Sequence, residues 1–145
     1  DKVMGDGLMA TFGVPVAGGS DAARALRCAR GMLQALEQWN EERQAIGLDP
    51  IRIGIGIHYG PVVAGNVGSE QRMAFEVIGD TVNTASRLQG MSKELGVRLA
   101  ISAEAIAAAT REMGDSAPLL TDGLQTHGEL NVRGRETAIT VYSLA

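Results

Sequence analysis

Apolar residues change period several times along the chain, and each change marks an element. Short apolar runs at 2–4 and 8–12 flank Gly5-Asp6-Gly7, which predicts two strands joined as a hairpin. "GVPVAGGSD" at 13–21 reads as a loop, with Ser20 as the N-cap of a following helix. From there to Ala45, Ala25, Cys28, Ala29, Met32, Leu36 and Trp39 recur at three- and four-residue steps, the period of a helix with one buried face. Gly47 and Pro50 close it.

"IRIGIGIHYG" at 51–60 alternates and predicts a strand whose Gly54 and Gly56 share one face, where a packed helix can approach closely. Residues 61–69 turn and continue as a short strand, and 73–79 form another. Asp80 is the predicted cap of a helix reaching Leu95, with Val82, Ala85, Leu88 and Met91 as its apolar stripe. A strand at 97–102 and a short helix at 103–110 follow; 111–124 has no clear period. The last stretch, 126–145, reads as two strands around Arg133-Gly134-Arg135. Helices thus alternate with strands that include hairpins, which predicts an α+β fold with helices packed on a sheet.

Composition narrows the function. One domain suits 145 residues, and 45% apolar with 21% charged residues argues against disorder. Thirteen basic against seventeen acidic residues leave a net charge of −4, so no global basic field invites nucleic acid. Aromatics at 3% argue against a stacking platform for single strands. No apolar run approaches the roughly 18 residues of a membrane span. Cys28 is the single cysteine and has no disulfide partner within the chain; its place in the helical pattern predicts a small core residue.

Three stretches carry candidate chemistry. Asp6 sits in a turn that Gly5 and Gly7 already explain; it is also a rigidly held carboxylate, suited to a hard cation. In "FEVIGDTVNTASRL" at 75–88, Asn83 and Arg87 are four residues apart and share a helix face outside the apolar stripe. They are either a solvated face or a polar pair aimed at a ligand, with arginine offering a fork to phosphate. Arg133 and Arg135 form a basic turn, either solvated or phosphate-anchoring. His58 and His127 are too few and too far apart in sequence for a zinc site, and no nucleophile elbow, P-loop or dinucleotide fingerprint is present.

Taken together, "KVMGDGLMATFG" (2–13), "RIGIGIHYGPVVAGNVGS" (52–69), "FEVIGDTVNTASRL" (75–88) and "LNVRGRETAITVYSL" (130–144) resemble the class III nucleotidyl cyclases, the adenylate and guanylate cyclase catalytic domains. The resemblance spans nearly the whole chain in the family's order. It implies a ferredoxin-like, palm-type antiparallel sheet with helices packed on it. It also implies attack of a ribose 3′-hydroxyl on the α-phosphate of a nucleoside triphosphate, assisted by two divalent cations, Mg2+ or Mn2+. Asp6 matches the second of the family's metal aspartates. Asn83 matches the asparagine that orients the ribose, and Arg87 the arginine that stabilises charge on the α-phosphate. Arg133 stands where the family often has a lysine gripping the terminal phosphates. Lys2 and Glu76 match the base-reading pair and supply one donor and one acceptor, the complement of adenine. Glu76 is one methylene longer than the more common aspartate.

The family's first metal aspartate lies on an earlier strand, in a phenylalanine-x-aspartate motif that residues 1–145 lack. The expectation is that the motif lies upstream in a longer domain. The resemblance further implies a cytoplasmic, bacterial adenylate cyclase that takes ATP and forms a head-to-tail homodimer with sites at the interface, attached to a regulatory or sensor domain. A guanylate cyclase and an inactive cyclase-like regulatory module are the alternatives. A diguanylate cyclase is disfavoured, because its acidic hairpin signature is absent.

Overall fold

The computed structural model describes residues 1–145. Strands β1 (Lys2–Met4) and β2 (Gly7–Met9) form the predicted hairpin, pairing Met4 with Gly7 around a two-residue turn. Gly5 has φ 59° while Asp6 does not enter the left-handed region, the pattern of a turn that matches strand twist. The second strand stops at Met9, short of the predicted residue 12. Helix α1 (Asp21–Ala45) follows. Then come β3 (Ile55–Ile57), a ribbon of β4 (Val63–Ser69) with β5 (Arg72–Ile78), and helix α2 (Asp80–Leu95). Strand β6 (Leu99–Ser102) and helix α3 (Ala103–Met113) come next. The unassigned stretch resolves into the end of α3, a 3-10 turn and a short helix α4 (Pro118–Thr121). Strands β7 (Gln125–Leu130) and β8 (Ile139–Leu144) complete the chain.

The α+β class is as expected. Four strands assemble in the order β3-β6-β8-β7; β6, β8 and β7 pair antiparallel, whereas β3 joins β6 in parallel. The hairpin and the β4–β5 ribbon form separate two-stranded sheets. Alternation along the strands gives the central sheet two unlike faces. Ile53, Ile55, Ile57, Leu99 and Ile101 pack with Leu26, Ala29 and Leu33 of α1 and with Ala105, Ala108 and Ala109 of α3. The other face presents Gly54, Gly56 and Ala100, and α2 packs there with Leu88, beside Val132, Ile139 and Val141. A Cβ built at Gly56 would run into the backbone of α2 at Ala85 and Gln89, and one at Gly54 into Ser92. The predicted close approach is therefore present.

Helix α1 corrects two expectations. Its buried stripe is Ala22, Leu26, Ala29 and Leu33, rotated from the predicted one, while Met32 and Trp39 are exposed. Cys28 lies on the exposed side and not in the core. Small alanines fill the tight seam against α3, so size, and not hydrophobicity alone, selected the buried face. Ser20 occupies the N-cap position, but its side chain caps nothing. Glu112 of α3 takes that role, accepting from Ala22 N and Ala23 N at 3.2 and 2.7 Å. Asp21 accepts from Gly18 N and from Arg24, which hold its carboxyl below the usual value. At α2 the N-cap is Gly79, and Asp80 is the first helical residue, where its negative charge sits favourably at the positive end of the helix dipole.

His58 ties the end of β3 to β6. Ser102 Oγ accepts from Ala105 N as the cap of α3 and also shares a hydrogen bond with His58 Nδ1, 2.8 Å away. Desolvation lowers the His58 pKa; Arg135 adds to the effect, while Glu104 and Asp80 oppose it.

Two outcomes follow for stability. Gly56→Ala forces backbone against backbone and is expected to cost about 1–3 kcal/mol, whereas Gly31→Ala, in open space on α1, is expected to gain about 0.5–1 kcal/mol. Urea unfolding of both variants beside the parent checks the two signs. Because folded His58 binds its proton more weakly than unfolded His58, the unfolded state gains the proton first as pH falls. Stability is therefore full above 6.5 and declines below it. Thermal midpoints across this range are expected to lose that slope in His58→Gln.

Candidate active site

Two pairs of sequence-predicted residues meet. Lys2 on β1 donates to Glu76 Oε2 on β5 at 2.9 Å, across 74 positions of sequence and between two separate sheets. Both side chains remain part-exposed, so the pair contributes at most about 1 kcal/mol. Its consequence is geometric: one donor and one acceptor stand side by side, and both reach solvent.

The second pair is Arg87 and Arg133. Arg87 is half-buried on α2, and Arg133 is exposed in the turn between β7 and β8. They line one cavity of about 310 Å³, together with Asn131 and Glu94. The turn can lie this close because Gly134, at φ 85°, places its backbone against the Arg87 guanidinium. No ion pair within the chain engages Arg87 or Arg133. Two arginines that no ion pair occupies face this cavity against one carboxylate, Glu94, a balance that suits a ligand carrying several negative oxygens.

Asn83 lies on the same face of α2, one turn before Arg87, and is exposed; it does not line the cavity. Asp6 projects from the hairpin turn, exposed and unpaired. No cluster of three or more histidine, cysteine, aspartate or glutamate side chains able to hold a metal forms within the chain. Asp6 is thus a single carboxylate. That fits magnesium, which is commonly held by one or two carboxylates together with substrate phosphates.

Sequence reasoning passed over Asn131, Glu94 and the role of Gly134. It also passed over a second cleft of about 410 Å³, lined by His58, Asp80, Thr81, Glu104 and Arg135; of the candidate basic turn, Arg135 faces this cleft and Arg133 the other cavity. No helix of the structure is long and apolar enough to cross a membrane.

Comparison with known proteins matches this arrangement to a family. A model described as the adenylate and guanylate cyclase catalytic domain matches residues 2–145. Adenylate cyclase 1 of Rhizobium meliloti (strain 1021) is 37% identical over 140 residues, covering 97% of this chain and 20% of the relative. The adenylate cyclase of Anabaena cylindrica is 36% identical over 148 residues, covering 99% of this chain and 27% of the relative. The chain therefore spans well under a third of the length of either relative. Among solved structures, the adenylyl cyclase CyaB from P. aeruginosa superposes with a TM-score of 0.72 at 25% identity, covering 92% of this chain and 64% of that one. A guanylyl cyclase superposes with a TM-score of 0.69 at 29% identity, covering 92% and 62%. A match over residues 2–145, with an α+β fold shared with solved cyclases, shows that this chain belongs to the class III nucleotidyl cyclases, the adenylate and guanylate cyclase catalytic domain family.

Proposed function

We propose that the domain converts ATP to 3′,5′-cyclic AMP and pyrophosphate. The ribose 3′-oxygen bonds to the α-phosphorus while the bond from that phosphorus to the β-phosphate bridging oxygen breaks, and the hydroxyl proton leaves to solvent. The observation that carries this reading is the cavity shared by Arg87 and Arg133, with Asn83 one helix turn before Arg87 on α2. Arg87 meets the charge that develops at the α-phosphate, an electrostatic role. Arg133 holds the outer phosphates, and Asn83 orients the ribose.

Lys2 and Glu76 read the base. Adenine offers an acceptor at N1 and a donor at its amine, and the pair presents a donor beside an acceptor. Asp6 would hold divalent cation together with phosphate oxygens; two such ions, Mg2+ or Mn2+, supply Lewis-acid activation of the attacking hydroxyl and charge neutralisation at the leaving phosphates. The family resemblance implies a second carboxylate for that centre, from a phenylalanine-x-aspartate motif.

A head-to-tail homodimer completes the site, with Asp6 from one subunit facing Lys2, Glu76, Asn83 and Arg87 of the other. Exposed apolar side chains on both ribbons support this: Val3, Leu8, Val63, Val67 and Phe75 have no cover in the single chain. ATP places the reaction in the cytoplasm, and the length of the curated relatives supports an attached regulatory domain. GTP is the second reading, favoured by the superposition on a guanylyl cyclase.

The longer protein, incubated with ATP or GTP and Mg2+ or Mn2+, is expected to yield 3′,5′-cyclic AMP and pyrophosphate. Cyclic GMP as the main product would move the assignment to guanylate cyclase, and no cyclic product would make the domain a regulatory module. Arg87→Ala is expected to lower kcat by about 100- to 1,000-fold with little change in KM. Turnover within a few-fold of the parent would remove Arg87 from its role.

A further inference from the structure

We propose that Gly134 is a positioning residue that fixes the direction of the Arg87 guanidinium; the inference rests on the reading of Arg87 given above. A Cβ built at Gly134 would lie 2.7 Å from Nη2 and 2.9 Å from both Cζ and Nη1 of Arg87. Near-equal distances to three atoms of the fork mean that this position looks onto its flat face. The donors of a guanidinium radiate in its plane. A backbone laid on the face therefore holds the group without using up its N–H edges, which stay directed to a ligand.

The same turn carries Arg133, one residue earlier, into the cavity beside Arg87. Gly134 thus sets the spacing of the two cations: Arg133 by chain connection, Arg87 by contact. The contact crosses 47 positions of sequence and joins α2 to the β7–β8 turn.

The three atoms nearest a methyl group at 134 all belong to the tip of the flexible Arg87 side chain. The cheapest response is for Arg87 to swing aside by roughly 0.7 Å or more, until ordinary contact returns. Misplacement on the order of 1 Å at a reacting centre costs about 100-fold in rate. Alanine also strains a left-handed backbone, so a control must share that strain without the contact. Gly128 serves: its φ is 72° and no atom lies within 4 Å of its built Cβ.

The test is a double-mutant cycle in the longer active protein, assayed for cyclic nucleotide. Gly134→Ala is expected to lower kcat by about 10- to 100-fold, with KM for the triphosphate held within about threefold. Gly128→Ala is expected to leave kcat within about twofold, since its strain comes without a contact to Arg87. Adding Gly134→Ala to Arg87→Ala is expected to cost nothing further, because the residue it positions is gone. A further loss in the double variant, or equal losses from Gly128→Ala and Gly134→Ala, overturns the proposal. A crystal structure of the Gly134→Ala protein gives a readout free of activity. Arg87 displaced above an unchanged 131–135 backbone supports the inference; Arg87 in place overturns it. A parent protein that makes no cyclic nucleotide would defeat the proposed function, and the crystal structure would still decide the role of Gly134.

Discussion

Helix α2 lies against a strand face that has no side chains, and the placement of the site follows from that contact. Gly54 and Gly56 of the segment leading through β3 admit Ser92, Gln89 and Ala85 to near backbone distance. Leu88 is thereby driven into the small core formed by Ala100, Val132, Ile139 and Val141. One helix register satisfies both demands. With that register set, the opposite surface of α2 carries Asn83 and Arg87 outward at a fixed height, level with the β7–β8 turn. A slip of one turn would bring bulk onto the glycines and carry Arg87 away from Gly134.

The other half of the site is held more loosely. Ribbons β1–β2 and β4–β5 belong to no larger sheet, and their apolar side chains face solvent. Across them runs the Lys2–Glu76 bond, a part-exposed ion pair of modest strength. Burial between two copies, as proposed, would supply what the single chain does not: cover for Val3, Leu8 and Phe75, and a drier setting in which that pair is stronger. The cationic half is thus organised by packing within the chain, and the Lys2–Glu76 half by an ion pair that an interface would consolidate.

Features with a local cause were legible in the sequence. The hairpin at Gly5-Asp6 follows from turn chemistry, and the close approach at Gly54 and Gly56 from strand alternation. Features decided by packing were not. Met32 and Trp39 read as the inner face of α1, yet the seam against α3 takes alanines, and Cys28 goes outward with the larger residues. Asp80 looked like a cap, but the turn into α2 needs a φ of 135° at the N-cap, which falls to Gly79. Residues 111–124 form pieces too short to show a period. Among the site residues, the spacing of Asn83 and Arg87 gave their shared face, whereas the Lys2–Glu76 pairing came only through family resemblance. "NVRGR" displayed its arginines plainly; nothing local tells that its glycine faces a residue on α2.

The claim on which most depends is that each site is assembled from two chains, Asp6 from one and Arg87 from the other. Mixing Asp6→Ala protein with Arg87→Ala protein tests it directly, with each variant assayed alone beside the mixture. Each variant alone is expected to be nearly inactive. Random pairing leaves half the dimers mixed, each with one intact site, so the mixture is expected to recover about a quarter of the parent rate. A mixture no more active than its components would contradict the shared site.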